Sequence, residues 1–221
     1  DWVRALQGLS LRNVRFSVED PRGKGIYSEQ GEMLFTHFGV SGPIVLSASG
    51  DCAAYWQKKQ TVLFAHIDLK PALSESQLDA RLLREIGAMP NKHLTSLLKT
   101  LLPQKLVPVF EELVQISPDK VLHQLTKEER LRIARGLKDL SFTLTGTRPL
   151  AEGIVTAGGL ATKAVDPKTL AVKAIPGLFA AGELIDVDAY TGGFNLQIAF
   201  STGHAAGLAA ARYVHDEEEG L

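Results

Sequence analysis

The chain has 221 residues, of which 45% are apolar and 22% charged, as in globular proteins that bury a core. Its formal net charge of -1 gives no general attraction for nucleic acid or for an anionic membrane, so neither is expected as a partner. A single cysteine, Cys52, excludes an internal disulfide and a multi-cysteine metal site. Alone in the sequence, Cys52 is predicted to be a small buried apolar residue.

The first part of the chain has the patterns of β-strands. Val14, Phe16 and Val18 alternate with polar residues, and residues 20–25 then supply the Pro and Gly of a hairpin turn. Residues 62–69 carry apolar groups at both alternating positions, which predicts a strand buried on both faces. Between these segments, residues 41–46 begin with Ser-Gly-Pro and predict a short helix capped by the serine.

A helical part follows, and the chain then returns to strand periodicity. Capping-box spacings precede two leucine-rich stripes, one at Ser74 and the other at Thr126. Leu140, Phe142 and Leu144 alternate again, which indicates a helical insertion between two strands of one sheet. The predicted domains are therefore 1–72 with 139–152 (β-barrel-like), 73–138 (helical insertion) and 153–221 (C-terminal segment). The fold class predicted from this order is a mixture of α+β and α/β.

Residues 153–221 are rich in glycine and short apolar runs. The runs 154–157 and 178–181 each end in glycine and predict buried strands of a layered α/β sheet. Because ligands bind beyond the carboxyl ends of such strands, Glu183 is predicted to lie at a strand mouth, where it can accept hydrogen bonds from a polyol. Gly182, just before it, allows a ligand to approach the backbone closely.

A predicted helix begins after Gly192 and Gly193. Its spacing places Leu196, Ala199, Gly203 and Gly207 on one smooth face, which suits close packing against a sheet. The N–H groups and the positive dipole end at the helix start suit an anion or a carbonyl that gains negative charge. The edge of a reduced flavin ring has this property.

Three motifs together resemble one known family. Residues 31–43 (GEMLFTHFGVSGP), 155–159 (VTAGG) and 182–197 (GELIDVDAYTGGFNLQ) resemble the BaiN/YhiN-type flavoproteins, a family that also contains aminoacetone oxidase. The resemblance implies an FAD-binding domain of the two-dinucleotide-fold type, interrupted by a β-barrel that carries a helical insertion. It implies an FAD-dependent oxidoreductase acting on a small organic substrate, such as an amine, with NAD(P)H or dioxygen as redox partner.

The resemblance also implies roles for individual residues. Glu183 resembles the acid that contacts the ribityl or phosphate part of FAD, and Asp186 lies in the loop that holds or lines the flavin pocket. The remaining positions implied to face the flavin are Gly158, Gly159, Gly182, Gly192, Gly193, Asn195 and Leu196. His37 is a candidate proton carrier near the flavin, although a structural role at a domain junction is the alternative.

One family feature is missing from these residues. The sequence does not contain the motif that binds the pyrophosphate, in which a strand is followed by a Gly-x-Gly-x-x-Gly turn and then by a helix. We therefore expect the later part of a longer flavoprotein, truncated and inactive alone, with FAD weakly bound or absent. The alternative is a cofactor-free docking or substrate-capping module, and a homodimer covering open strand edges is a further expectation. No targeting segment or metal-ligand spacing occurs, so a cytoplasmic protein without a metal site is predicted.

Overall fold

The computed structural model describes residues 2–59 and 61–219, the last four of them by backbone alone. The chain divides into two compact units, residues 1–146 and 147–221. Asp1, Gln60, Gly220 and Leu221, which fall inside the predicted domain ranges, lie outside the described residues. Among the described residues, no helix combines the length with the apolar character that crossing a bilayer requires.

The first unit contains both helices and strands. Its strands are β1 (Ser10–Glu19), β2 (Gly25–Phe35), β3 (Val40–Ser41), β4 (Leu63–Asp68) and β5 (Leu140–Leu144). Its α-helices are α1 (Trp2–Ala5), α2 (Pro43–Lys58), α3 (Glu75–Ala88), α4 (Leu94–Leu101), α5 (Val107–Val114) and α6 (Lys127–Lys138). The mixed α+β class predicted from the sequence is confirmed.

The strands form one antiparallel, curled sheet in the order β3-β2-β1-β4-β5. The alternation predicted for β1 is confirmed, because Val14, Phe16 and Val18 are each at most 2% exposed. The predicted hairpin joins β1 to β2, and Asp20 fixes its turn by accepting backbone N–H bonds from Arg22 and Lys24. β5 pairs with β4, so the predicted return of the chain to the sheet is confirmed.

The prediction that residues 62–69 are buried on both faces is wrong. Leu63, Ala65 and Ile67 are fully buried, whereas Phe64 on the opposite face is 37% exposed. The sheet packs its core on one side only, so an apolar residue on the other side is left partly in water. Apolar residues at both alternating positions of this strand therefore did not mean that both of its faces are covered.

Helix α2 begins differently from the prediction. Ser41 belongs to β3, and the N-cap is Gly42, which makes no side-chain capping bond. Gly42 has a φ of 97°, and a Cβ there would lie 2.9 Å from the backbone Cα of Met33. Glycine is required because α2 starts directly against β2. The helix is also long, at 16 residues, and Cys52 on it is buried, as predicted, with its pKa raised to about 11 by burial.

The helices between β4 and β5 pack on their leucine stripes. Both predicted capping boxes are present, at Ser74 with Gln77 and at Thr126 with Glu129. Leu82, Leu97 and Phe110 are fully buried, and other leucines of these helices join the same core as the sheet. Hydrophobic burial on these stripes holds the four helices together.

The second unit is built from turns and one long helix, α7 (Phe194–Glu219). The predicted strands at 154–157 and 178–181 are wrong: within the described residues, this unit shows only single bridges such as Ala171 with Phe179. Ile154 is 76% exposed. Apolar runs of this length form a strand only when a neighbouring strand completes the ladder, and the described residues of this unit supply single bridges instead.

Helix α7 is confirmed, but its predicted packing face is wrong. The residues turned towards the small core of this unit include Ala206, at 8% exposed, and the half-buried Ala199 and Thr202. Leu196 is 64% exposed and Gly203 is also exposed. The helix is small-residue-rich on more than one side, so composition alone did not identify the side that packs.

Candidate functional site

The predicted flavin-facing residues lie in the second unit, around one turn and the start of α7. Gly158 donates its N–H to Asp186 Oδ1 over 3.1 Å. Leu160 bridges to Ile185 in parallel fashion, and this bridge brings the 158–159 turn beside the 184–186 segment. The structure therefore places Gly158, Gly159 and Asp186 together, although they are far apart in sequence.

Gly159 is needed for this contact. Its φ is 135°, and a Cβ there would lie 2.6 Å from the carbonyl oxygen of Leu184. Any side chain would therefore push the two segments apart. Gly158 differs, because its φ is 102° but a Cβ would meet nothing within 4 Å. Gly159 thus permits close backbone packing, and Gly158 leaves open space beside the turn.

Gly182 and Glu183 begin a short 3-10 turn, Gly182–Leu184. The Gly182 N–H donates to Thr202 Oγ1 over 2.9 Å, and that hydroxyl donates to the Ile198 carbonyl. Glu183 is exposed and follows single bridges, so the predicted strand mouth is wrong. Thr202, which the sequence analysis did not single out, ties this turn to α7. Its hydroxyl, next to that of Ser201, is the only signal that the sequence offered.

Asn195 makes two hydrogen bonds within the protein, and its predicted contact with a cofactor stays a prediction. Its Oδ1 accepts the Ala189 N–H and its Nδ2 donates to the Ala189 carbonyl, both over 2.8 Å. The amide clamps the loop before α7 to the helix and fixes the position of the glycine pair between them.

Gly192 and Gly193 precede α7 with φ values of 117° and 91°. A Cβ on Gly193 would meet nothing within 4 Å, so open space lies beside the helix start. The N–H groups of the first helical turn have no acceptor within the helix. Leu196, in that turn, is largely exposed and contributes an apolar side chain beside these donors.

The charges around this site are acidic. Glu183, Asp186 and Asp188 are exposed carboxylates, and the sequence has no Lys or Arg between Lys173 and Arg212. Such groups accept hydrogen bonds from hydroxyls and repel phosphate. The residues present therefore fit the ring and the polyol chain of a flavin, with backbone donors at the ring and carboxylates at the hydroxyls, and they do not fit its pyrophosphate.

His37 lies in the first unit, at the tip between β2 and β3. It is exposed, and its ring meets that of Phe38 edge-on at 5.0 Å. The turn is closed by hydrogen bonds between Thr36 and Gly39. His37 is thus displayed on a defined turn, and a role in proton transfer stays a prediction. Within the described residues, no group of three or more metal-binding side chains comes together.

Comparison with known proteins identifies the relatives of this chain. The Haemophilus influenzae protein named ribosomal RNA dihydrouridine synthase is 32% identical over 96% of this chain and 48% of its own length. The Escherichia coli protein of the same name is 35% identical over 78% of this chain and 40% of its own. A Clostridium scindens protein named 3-dehydro-bile acid delta(4,6)-reductase is 32% identical over 86% of this chain and 46% of its own.

The chain thus spans about half the length of the relatives it matches. Residues 1–155 match the family model described as the HI0933-like protein barrel and H2TH domain. The curled sheet with helices between β4 and β5 agrees with that description, and the predicted BaiN/YhiN-type resemblance is consistent with the names of the relatives. The chain belongs to the HI0933-like family, whose barrel and H2TH domain it matches.

Proposed function

We propose that this chain is the flavin-side part of an FAD-dependent oxidoreductase that reduces a carbon–carbon double bond conjugated with a carbonyl group. The observation that carries the proposal is the open backbone at two glycine turns of the second unit. Gly158 and Gly193 have positive φ and open space, and the clamps of Asn195 and Thr202 hold the neighbouring loops. A flat ring needs such close, side-chain-free access to backbone.

The class of substrate is inferred from the relatives. Dihydrouridine is uridine with the ring double bond next to its carbonyl saturated. A delta(4,6)-reductase of a 3-dehydro bile acid acts on double bonds conjugated with the 3-oxo group. When bound, the flavin supplies a hydride to the carbon β to the carbonyl, and a proton delivered to the α carbon completes the reduction. These relatives favour a conjugated carbonyl over the amine considered from the sequence.

In this proposal, the side chains and backbone of this chain bind the flavin and orient it. The N–H groups at the start of α7 stabilise negative charge at the carbonyl edge of the flavin ring. Glu183 and Asp188 accept hydrogen bonds from the ribityl hydroxyls. Asn195 and Thr202 hold the loops. His37 is proposed as the proton carrier, and NAD(P)H as the source of electrons, because the reaction consumes two electrons.

The test is cofactor binding. The protein purified at the length that its gene encodes is expected to carry a flavin, visible as yellow absorption that dithionite bleaches. A colourless protein that FAD does not reconstitute would contradict the proposal. The 221-residue chain alone is expected to bind FAD weakly and no better than riboflavin, because the described site does not fit the pyrophosphate.

A matched pair of variants locates the flavin. Gly193→Val places a side chain in the open space beside the helix start, and it should weaken flavin binding at least about tenfold. Gly203→Ala is the control, because Gly203 lies on the exposed side of α7 and a Cβ there meets nothing within 4 Å. Equal flavin binding by both variants would show that the start of α7 is not the flavin site.

A further inference from the structure

The polar side chains that line one cleft of the first unit are two arginines and one glutamine. The cleft has a volume of about 560 Å³ and lies along α3, the helix Glu75–Ala88. Its lining residues are Leu73, Gln77, Ala80, Arg81 and Arg84. Arg84 is exposed and has no acidic partner within 4 Å among the described residues, and Arg81 has a distant one, Glu85 at 3.8 Å.

Lys70 lies next to this cleft and extends the cationic surface. It lines a second, smaller cleft of about 220 Å³, together with Arg12 and seven other residues. Lys70 is half-buried, and burial together with the charge of Arg81 lowers the pKa of its amine. Within the described part of the chain, no carboxylate pairs with it. A half-buried cation beside another cation is destabilising unless an anion offsets it.

Three other cations of these helices are paired with carboxylates. Lys120 pairs with Glu129 over 2.8 Å, and Arg130 pairs with Asp79 over 2.5 Å. Lys138 pairs with Asp68 and also donates to two backbone carbonyls of the 70–73 segment. Asp68 is the nearby acid that could have neutralised Lys70, but Lys138 occupies it. Among the described residues, Lys70 and Arg84 thus have no carboxylate partner, and Arg81 has only Glu85 at 3.8 Å. These three charges can therefore take part in binding an anion from outside.

The remaining polar group of the cleft is also a donor. The Gln77 Oε1 accepts the Ser74 N–H in the capping box, so the amide NH₂ is the part of this side chain left for a ligand. An ammonium, two guanidinium groups and an amide NH₂ together form a donor set. Such a set suits phosphate oxygens, because guanidinium groups bind them with two parallel hydrogen bonds.

We propose that Lys70, Gln77, Arg81 and Arg84, the α3 cation cluster, bind backbone phosphates of an RNA substrate. The inference rests on the proposed function and narrows its conjugated carbonyl substrate to a uridine of RNA, the substrate indicated by the names of two relatives. The cleft is open and much larger than one phosphate. A strand of successive phosphates fits this shape better than a single small anion.

Charge distribution supports the same conclusion. Residues 1–146 contain 19 Lys and Arg against 16 Asp and Glu, whereas residues 147–221 contain five against nine. The net charge of -1, which led to the expectation of no nucleic acid, averages over these two opposite balances. Phosphate contacts position an RNA without reading its sequence, so a short cationic surface on the first unit is sufficient for this role.

The test is RNA binding by the 221-residue chain, measured by fluorescence anisotropy with a labelled 30-nucleotide RNA hairpin rich in uridine. Arg81→Gln with Arg84→Gln is expected to weaken binding about tenfold at low salt and to reduce the slope of log K against log salt by about 1.4. The control, Lys168→Gln with Arg212→Gln, removes two exposed charges of the second unit and should leave both quantities unchanged. Circular dichroism checks that each variant is folded.

Three outcomes would overturn the inference: no binding of the hairpin by the wild-type chain, equal binding by the cluster variant, or an equal loss in the control. Flavin binding by the full-length protein is a separate measurement. An RNA result can therefore fail while the redox proposal stands, and a colourless protein can coexist with RNA binding.

Discussion

Replacing Asn195 by alanine tests whether this residue positions the loop before α7. The change removes two part-buried hydrogen bonds, to the N–H and the carbonyl of Ala189. Each is worth about 1 kcal/mol net, and water partly replaces them because the loop is half-exposed. Alanine also has a slightly better helix propensity. The free energy of opening this loop should therefore fall by about 1–2 kcal/mol.

Hydrogen–deuterium exchange is the suitable assay, because the two compact units need not unfold together and one unfolding midpoint would not report on the loop. Loss of about 1–2 kcal/mol raises the open population about 5- to 30-fold, so amides 186–193 should exchange faster by that factor. Gln197→Ala is the control: Gln197 lies one half-turn further along the helix and only donates to the exposed Ser201 hydroxyl. Exchange unchanged within about twofold in Asn195→Ala would refute the positioning role.

Three further predictions concern the first unit. The pKa of Asp20 is lowered to about 2, chiefly by the hydrogen bond from the Lys24 N–H. The ionised carboxylate therefore stabilises the fold above pH 3.8, and this stability is lost as the pH falls from there through about 2. The urea midpoints of wild type and Asp20→Asn should accordingly differ at pH 6 and converge towards pH 2, while the midpoint of the control Asp51→Asn, at an exposed residue, should stay close to that of wild type. Gly42→Ala should lower the melting temperature and Gly50→Ala raise it, because only Gly42 has positive φ and a backbone contact. Leu98→Ala, at a fully buried position, should cost about 2–5 kcal/mol in urea unfolding, and a cost below 1 kcal/mol would contradict the packing.

Local patterns predicted the first unit well. The alternation of Val14, Phe16 and Val18 and the two capping boxes depend on neighbours within a few residues, and the same interactions hold in the structure. The error at Ser41 has a different cause. The cap is Gly42 because α2 begins against the backbone of Met33, and a contact between elements leaves no mark in a local pattern.

The second unit was predicted less well, for a related reason. The runs before Gly158 and Gly182 have strand composition, but strand formation depends on a partner strand, and within the described residues these runs make single bridges. The contact of Gly158 with Asp186 joins positions 28 residues apart. The family resemblance named both residues, although spacing in the sequence did not show that they touch.

The α3 cation cluster was missed because its members are unremarkable when taken one at a time. Lys70 follows a strand, and Arg81 and Arg84 lie on a helix whose charged face is expected to be solvated. The structure adds that two nearby acids are taken by other cations, because Lys138 pairs with Asp68 and Arg130 pairs with Asp79. Only the three-dimensional pairing shows that, among the described residues, Lys70 and Arg84 lack a carboxylate and Arg81 has only Glu85 at 3.8 Å.

The hydrogen bonds of Asn195 also change what the candidate flavin site is expected to tolerate. Because Ala189 holds the Asn195 side chain in place, the donors proposed to face a ligand at the start of α7 are backbone N–H groups. Substitutions that keep the backbone in place, as at the exposed Leu196, should then change the flavin affinity little. Substitutions that need a different φ, as at Gly193 with its φ of 91°, should be severe, because they move the donors themselves. A site built from side chains would show the reverse order, so comparing flavin affinity in Leu196→Ala and Gly193→Ala distinguishes a backbone-built site from a side-chain-built one.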